Sequence, residues 1–419
     1  MADIVQYINY AIAIIFFLCY SYQFVYIVIS FFTKPKVYED TGERKRFAFL
    51  LAARNEETVI GNLIDSILKQ DYPADLIDIY VCADNSDDKT AQIARDLGCH
   101  VYERHDMNKV GKGYALDFLL DRINETVGDS YYDGYFVFDA DNLLDKNYVF
   151  EMNKAMCSGY KILTSYRNSK NFGRNWITSG YALWFLREAR YLNNVRTTLG
   201  TSCAVSGTGF LVSSEIMRRN NGWKFFLLTE DIEFTINSVI QGERIGYCDA
   251  ARYYDEQPVT FKASWDQRLR WAKGYFQVFA NYGGKLFKGI FGNNGWSCYD
   301  MTMNIMPACI LSMLSVIINV GTMIWAAVTG ADISGVLWSV LAGSLGIYGI
   351  MFLIGTLACI TEWKEIRCSK WGKVLYCFTF PLFMFTFLPI AAVALFTKVE
   401  WKPIKHEEQI SIDDMDQDK

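Results

Sequence analysis

Histidine is scarce in this 419-residue chain, which holds only His100, His105 and His406, and its eleven cysteines are scattered without a CxxC pair. A zinc centre of Cys and His ligands is thereby disfavoured, and the cysteines read as reduced thiols in packing roles rather than as a disulfide framework. No positive charge precedes the first apolar run, since the opening "MADIVQ" carries only Asp3. A cleaved secretory signal needs that charge and a small-residue cleavage site, so this run is expected to stay as an anchor. Two nucleotide fingerprints are also missing. "KVGKGYAL" has no glycine at the Walker spacing before Gly111 and no Ser or Thr after Lys112. "SGTGFLV" has Gly207 and Gly209 without the third glycine or the downstream acid of a dinucleotide fold, which sets hydride transfer aside. There is no internal repeat or low-complexity linker, and a net charge of -5 gives no sign of a nucleic-acid partner.

Apolar residues are abundant instead: 51% of the chain is hydrophobic and 16% aromatic, more than an ordinary soluble protein carries. Val5 to Phe32 contains no charge and is long enough to cross roughly 30 Å of hydrocarbon. Lys34, Lys36, Arg44, Lys45 and Arg46 follow it, which predicts a cytoplasmic exit. Three further runs, about Met303–Val328, Ile333–Ile360 and Val374–Thr397, are each long enough to span, the last interrupted by Pro381 and Pro389. Lys364, Arg367, Lys370 and Lys373 place the loop between the last two inside. This count puts both termini outside, unless a re-entrant last segment reverses the C-terminus. The expected organisation is an anchor at 1–33, a cytosolic domain at 34–270 with an interfacial helix near 176–192, an interfacial segment at 271–300 leading to a helix with Pro307, three spans at 301–398 and an acidic tail at 399–419.

The cytosolic part reads as an α/β domain with a mixed, mostly parallel sheet, because short apolar runs alternate with helical patterns. "FAFLLAA", "IDIYVCAD", "HVYERH" and "YFVFDAD" are strands, whereas "TVIGNLIDSILKQ" and "KTAQIARDLG" are helices. Open α/β sheets place ligands at the carboxyl ends of their strands, and there stand "AARNEE", "ADNSDD" and "DADN". One such loop is readily a turn or helix cap; three in sequence point to a site. In "FVFDADN" strand alternation would turn Asp139 and Asp141 to one side, where like charges need a cation such as Mg2+ or Mn2+ completed by substrate phosphates. Glu230 and Asp231 in "LLTEDIEF" open a helical pattern and suit either a cap or a general base. "QRLRW" is either a solvated basic helix face or a binding segment.

Asp84, the "DAD" at Asp139–Asp141, the "TED" at Thr229–Asp231 and the "QRLRW" at Gln267–Trp271 together resemble, in order and approximate spacing, the motif set of processive membrane-bound family 2 glycosyltransferases. That family makes cellulose, mixed-linkage glucan, chitin, hyaluronan and poly-N-acetylglucosamine. The resemblance implies an A-type glycosyltransferase domain fused to transmembrane and interfacial helices. It implies that Arg54, Glu56, Asp84, Lys112 and Asp139 line the uridine and ribose side of a UDP-sugar donor, with Asp141 as the metal ligand. Ser206, Gly207, Thr208 and Gly209 would lie beside the acceptor sugar, and Asp231, next to Glu230, would be the base. Gln267, Arg268 and Arg270 can reach diphosphate oxygens, while Trp271 can stack on the terminal acceptor unit. Ala53-Arg54 stands where many members have Pro or Tyr, a departure in the base contacts.

The expectation is therefore a processive, inverting β-glycosyltransferase in the plasma membrane, multi-pass, with its catalytic domain cytoplasmic. It would polymerise a hexose from UDP-glucose, or next from UDP-N-acetylglucosamine, with the growing polysaccharide as acceptor and the bilayer as the export route. The alternatives are a non-processive enzyme acting on a polyprenyl phosphate or glycerolipid, and an inactive membrane scaffold or sensor.

Overall fold

In the computed structural model, which describes residues 2–306, 308–403, 406 and 408–417, the first apolar strand pattern becomes β1 (Phe47–Ala53), buried along nearly its whole length. It continues in parallel with β2 (Ile77–Asp84), β3 (His100–Arg104) and β4 (Gly134–Asp139). Such strands can be apolar throughout because helices cover both faces of the sheet. With β5 (Leu143–Leu144), β6 (Ile162–Ser169), β7 (Phe210–Ser213) and β8 (Ile245–Asp255) they form an eight-stranded sheet of order β3-β2-β1-β4-β7-β6-β8-β5. β4–β7, β6–β7 and β5–β8 are antiparallel, and β6–β8 is parallel with a register shift between Ser165 and Tyr166. Strand order reverses between β1 and β4, so the carboxyl ends of β1, β2 and β4 open onto one crevice.

A long apolar helix, α1 (Ala2–Phe32), precedes the sheet. The covering helices are α2 (Ile60–Leu68), α3 (Thr90–Asp96), α4 (Lys112–Val127) and α5 (Tyr148–Cys157). In α2 the buried Ile60, Leu63, Ile64 and Ile67 recur at helical spacing and form its core face. After β6 come α6 (Trp176–Arg187), a π-helical turn over Glu188–Asn193, and α7 (Asn194–Leu199). Asn175 caps α6 by accepting from the Ile177 and Thr178 amides. The sequence pattern suggests that α6 lies at the lipid surface; instead it is buried on nearly every side between β6 and two later apolar helices. An amphipathic stripe does not distinguish a lipid contact from a helix sandwiched in protein. Then follow α8 (Ser214–Arg219), α9 (Glu230–Ile240), α10 (Phe261–Gly289), α11 (Gly295–Ile305), α12 (Ala308–Thr329) and α13 (Ser334–Thr361). The division expected between 270 and 271 falls inside α10, and Pro307 lies outside the described residues.

Among the described residues, four helical segments are long and apolar enough to cross a membrane: Asp3–Phe32, Gly295–Thr329, Ser334–Thr361 and Lys370–Phe396. The last is broken into α14 (Lys370–Phe385) and α15 (Phe387–Phe396). Pro389 supplies no N–H to the Phe385 carbonyl, which accounts for a break at this point. α15 lies against α10, where Ile390, Ala391 and Ala394 pack with Ala272 and the Lys273 ammonium donates to the Ala394 carbonyl at 3.0 Å. Beyond it the chain returns to the α/β domain and ends in α16 (Ile412–Gln417), which pairs Asp413 with Lys69 at 2.7 Å. The C-terminal segment thus packs on the α/β domain.

The first anchor is tied to that domain by one buried cluster. Asp300, with 0% exposure, receives Nε and Nη2 of Arg196 at 2.8 and 2.7 Å and the hydroxyls of Tyr22 and Tyr26 at 2.9 and 3.2 Å. Trp296 Nε1 donates to the Tyr26 hydroxyl at 2.7 Å. Asp300→Asn leaves the buried Arg196 guanidinium without its counter-charge, and a cost of about 3–5 kcal/mol is expected. Thermal unfolding of the detergent-solubilised chain measures it; an unchanged midpoint contradicts the role of this cluster.

Candidate active site

The crevice is built from loops that fasten one another. Asn55, in the left-handed region at φ 57°, donates its N–H to Ser86 Oγ at 3.1 Å and accepts from the Asp87 N–H at 3.0 Å. Glu56 N–H donates to Thr90 Oγ1 at 2.8 Å. The loops after β1 and β2 therefore move as one. Within "NSDDKT" the turn role belongs to Asp88, which accepts from the Glu57 and Thr90 amides. Asp84 points the other way and is buried, taking Arg104 Nη1 at 2.6 Å. Burial raises the Asp84 carboxyl while Arg104 opposes the rise.

At the end of β4 the two aspartates part company. Asp139 receives the Lys112 ammonium, which also donates to the Gly207 carbonyl at 2.8 Å. Asp141, only 5% exposed, accepts from the Glu256 N–H at 2.9 Å and from Asn142 Nδ2 at 3.2 Å. Strand alternation does not extend to Asp141, yet both carboxylates act on Glu56 and on Arg167. β4 ends at Asp139, and a turn closed by the Asn142 N–H on the Asp139 carbonyl at 3.2 Å follows, so the two-residue period stops.

Residues 206–209 lie across from this turn. Thr208 Oγ1 accepts from the Asp139 N–H at 2.9 Å and donates to Asn142. Gly207 and Gly209 sit at φ 78° and 67°, and a Cβ on Gly209 would meet the Tyr253 ring at 2.2 Å, so glycine is required there. A Cβ on Gly207 would stand 3.8 Å from Asp231 Oδ2, which places the "TED" acid directly against this loop. The Ser206 carbonyl accepts from Arg167 Nη1 at 3.1 Å, and Arg167 is locked to Asp255 and stacked on Phe185 with 3.6 Å to the ring centroid.

Glu230 and Asp231 open α9, where backbone N–H groups favour negative charge. Thr229 makes no side-chain capping bond among the described residues, and the Asp231 carboxylate instead accepts from the Ile232 N–H at the start of the helix. Glu233 organises it, accepting from the Phe226 and Leu227 amides at 2.9 and 3.0 Å and from the Tyr282 hydroxyl at 3.0 Å. Burial and mutual repulsion raise the Glu230 carboxyl, and burial raises that of Asp231; Lys112 and Arg270 oppose both.

α10 separates the residues of "QRLRW". At about 100° per residue, Gln267, Arg270 and Trp271 share a face and Arg268 points away from Arg270. Arg270 Nη1 donates to the Leu228 carbonyl at 3.3 Å. Trp271 is half-buried and meets Tyr181 and Phe185 edge to face, with ring centroids 5.7 and 6.4 Å apart. Gln267 Oε1 is buried with no partner among the described residues. Arg268, 2% exposed, donates to Thr386 Oγ1 at 2.7 Å and to the Phe383 carbonyl at 3.2 Å, and stacks on Phe383 at 4.3 Å. The expected diphosphate contact of Arg268 is replaced by a structural one: it secures the break between α14 and α15.

Several site residues escaped the sequence reading. Arg104 and Arg167 are charges at strand ends that counter buried acids. His406 and Trp401 come from the segment read as a tail. His406 Nδ1 lies 3.2 and 3.0 Å from the two Glu56 oxygens. Burial alone would lower the imidazole, yet Asp141, Glu56 and Glu256 outweigh it and raise it to about 10. Trp401 stands over the Arg54 guanidinium at 5.7 Å. It also lines a cavity of ≈ 20 Å³ with Lys112, Tyr114, Phe226, Leu228 and Glu230. An aromatic and one of only three histidines just past an apolar helix were the available signal.

The donor set around Asp141 fits a divalent cation. Asp141 is buried beside Glu56 and His406, yet among the described residues no group of three His, Cys, Asp or Glu side chains is placed to hold a metal ion, so a cation there would rest on Asp141 and on its ligand. Phosphate oxygens of a ligand would complete the shell, as Mg2+ and Mn2+ commonly require.

Residues 44–274 match the family model described as glycosyltransferase-like family 2. The chain is 27% identical over 278 residues to the probable glycosyltransferase YdaM of Bacillus subtilis, covering 61% of each. It is 27% identical over 234 residues to the beta-monoglucosyldiacylglycerol synthase of Synechocystis, covering 56% of this chain and 48% of that one. It is 24% identical over 269 residues to the poly-beta-1,6-N-acetyl-D-glucosamine synthase of Staphylococcus epidermidis, covering 61% and 63%. The chain thus spans between 48% and 63% of the length of these relatives. Among solved structures, a mannosyltransferase from Pyrobaculum calidifontis in complex with GDP-Man and Mn2+ aligns with TM-score 0.58 and 15% identity, over 93% of this chain and 98% of that one.

Mn2+ titrated into the purified chain with UDP present should bind, as read by electron paramagnetic resonance of the free ion. Asp141→Asn should abolish this binding. Equal binding by the two proteins contradicts the assignment.

Proposed function

We propose a reaction, a donor and an acceptor for this chain, which belongs to the glycosyltransferase-like family 2. Its fold is the A-type glycosyltransferase sheet with apolar helices appended. The reading is an inverting hexosyltransferase that takes a UDP-sugar, UDP-glucose first and UDP-N-acetylglucosamine next, and forms a β-linkage on a membrane-presented acceptor. The observation that carries it is the placement of Asp231. Its carboxylate lies against the Gly207 loop and under the influence of Lys112 and Arg270, while the adjacent Trp271 offers a flat face one residue along the same helix.

In this mechanism Asp231 takes the proton from the acceptor hydroxyl as that oxygen attacks the anomeric carbon and the bond to UDP breaks. Lys112 and Arg270 stand where charge develops on the departing diphosphate. A divalent cation, when bound, supplies further charge to the same oxygens, and Asp141 would hold it together with the phosphates of the donor. Burial and repulsion from Asp231 raise the Glu230 carboxyl, which leaves a second acid beside the base, while burial holds the base itself at a raised pKa.

Repeated transfer, with export of a growing polysaccharide, is the favoured acceptor reading. An indole in an aromatic setting suits the apolar face of a terminal sugar, and α10 leads from Trp271 directly toward the membrane helices. The chain would be multi-pass in the plasma membrane with its α/β domain cytoplasmic, supported by Lys34, Lys36, Arg44, Lys45 and Arg46 after the anchor. A glycerolipid acceptor is the second reading. An apolar groove of ≈ 440 Å³ between α6 and α14, lined by Trp176, Leu375, Tyr376, Thr379 and Leu382, favours it.

Asp231→Asn should lower kcat by about 100-fold or more and leave UDP binding intact. In the parent, the acid limb of kcat should lie above the ordinary carboxylate range, with activity lost as pH falls, because a base with a raised pKa is protonated early. Near-normal turnover in this variant removes Asp231 as the base.

Single radiolabelled UDP-sugars, with products divided between organic solvent and insoluble polymer, separate the acceptors. Polymer is expected from the parent, and Trp271→Ala should bind UDP yet yield short products or free sugar. Label confined to the organic phase moves the assignment to a glycolipid.

A further inference from the structure

The helix that follows β6 sends its side chains to several partners, and one carboxylate on it has none. Phe185, near the end of α6, carries the Arg167 guanidinium on its ring at 3.6 Å and meets Trp271 edge to face. Arg187 donates to Gln23 Oε1 on α1 and stacks on Trp184 at 4.6 Å. Beyond the π-helical turn, Arg196 is committed to Asp300. Glu188, half-buried at the first position of that turn, makes no hydrogen bond or ion pair among the described residues. It follows Phe185 by three residues, which puts the two on one side of the helix. On that side Arg167 Nη1 reaches the Ser206 carbonyl at 3.1 Å, and the Gly207 loop beyond it faces Asp231. The charges that act on Glu188 are accordingly Arg196, Arg187 and Arg167, each held by another group, and Asp231 itself. The π-helical turn also carries two buried donor atoms at or next to it, Arg190 Nε and Asn194 Nδ2, that lack partners among the described residues. Unsatisfied groups cost stability, and π-helical turns recur at functional sites.

We infer that Glu188 binds the acceptor, its carboxylate taking a hydroxyl of the terminal sugar whose apolar face lies on Trp271. This rests on the saccharide-acceptor reading above and supplies the polar half of that subsite. A sugar ring offers a C–H face to an aromatic and hydroxyls around its rim, so its recognition needs a flat ring with a hydrogen-bond acceptor beside it. Phe185 ties the two together, since it touches Trp271 and stands one turn before Glu188. A carboxyl keeps an oxygen able to accept in either protonation state. Burial raises the Glu188 carboxyl and the three arginines oppose the rise. Asp231 takes the proton of the attacking hydroxyl, and Glu188 holds a neighbouring one, which fixes the hydroxyl presented to the donor. A diacylglycerol has a single free hydroxyl, which Asp231 requires, so an unpaired acid beside the base suits a sugar better than that lipid.

Kinetics on the full chain in detergent, with a β-linked tetrasaccharide of the donor's own sugar as the acceptor probe, test this. Glu188→Ala should raise the KM for the tetrasaccharide by about tenfold or more and send more of the label from the UDP-sugar into free sugar. The Kd for UDP, read by calorimetry, and the thermal midpoint should stay as in the parent. Glu188→Gln, which keeps the volume and one accepting oxygen, should fall between the two, and it decides the question alone if the alanine variant fails to fold. A parent-like KM for the tetrasaccharide, or a loss of UDP affinity and thermal midpoint together, as a mere counter-charge to Arg187 and Arg196 requires, overturns the assignment and leaves Asp231 and the donor reading in place. A parent chain that consumes the UDP-sugar yet transfers nothing to the tetrasaccharide, with label confined to the organic phase, overturns the saccharide-acceptor reading and this inference with it.

Discussion

Burying carboxylates at the end of a sheet is costly unless a cation meets each of them, and the architecture follows from how this chain meets that demand. Asp84 is answered by Arg104 from β3, Asp139 by Lys112 from the start of α4, and Asp255 by Arg167 from β6. Asp141 and Glu56 are answered by His406, which arrives from beyond the last apolar helix. Each pair joins segments far apart in sequence, so the charges that equip the crevice also close the fold around it. Structural and functional electrostatics are thus one arrangement.

The same logic fastens the membrane helices. Asp300 carries a bidentate Arg196 and two tyrosine hydroxyls, which joins α1, α7 and α11. Arg268 grips the break between α14 and α15, and Tyr166 donates to Glu362 at 2.7 Å while Arg252 reaches Glu365 at 2.6 Å, binding the loop after α13 to the sheet. Such contacts are directional, unlike apolar packing, and they hold the crevice in one orientation relative to α10 and the broken segment. An acceptor arriving from the membrane side would meet Trp271 in a setting made by α6, α10 and α14 together.

Much of the α/β domain was legible in the sequence. "FAFLLAA", "IDIYVCAD", "HVYERH" and "YFVFDAD" form β1 to β4 almost residue for residue, because buried parallel strands must be apolar throughout and must end at polar loops. The three acidic loops converge as expected for carboxyl ends at a reversal of strand order. Where the reading failed, a period was extended past the element that carries it. Alternation was applied to Asp141 although β4 stops at Asp139, and "QRLRW" was taken as one cluster although a helix turns Arg268 away from Arg270.

By itself, then, the sequence determined the elements, the apolar segments and the identity of the acids, since these depend on periodicity and on composition over short windows. Only the tertiary structure decided which acid faces which cation, that α6 is buried rather than lipid-facing, and that Trp401 and His406 belong to the crevice. Those outcomes depend on contacts between residues separated by up to 350 positions. Local propensity carries no information about such pairings. They are selected by the desolvation of charges that come together only when the sheet, the helices and the returning C-terminal segment have all packed.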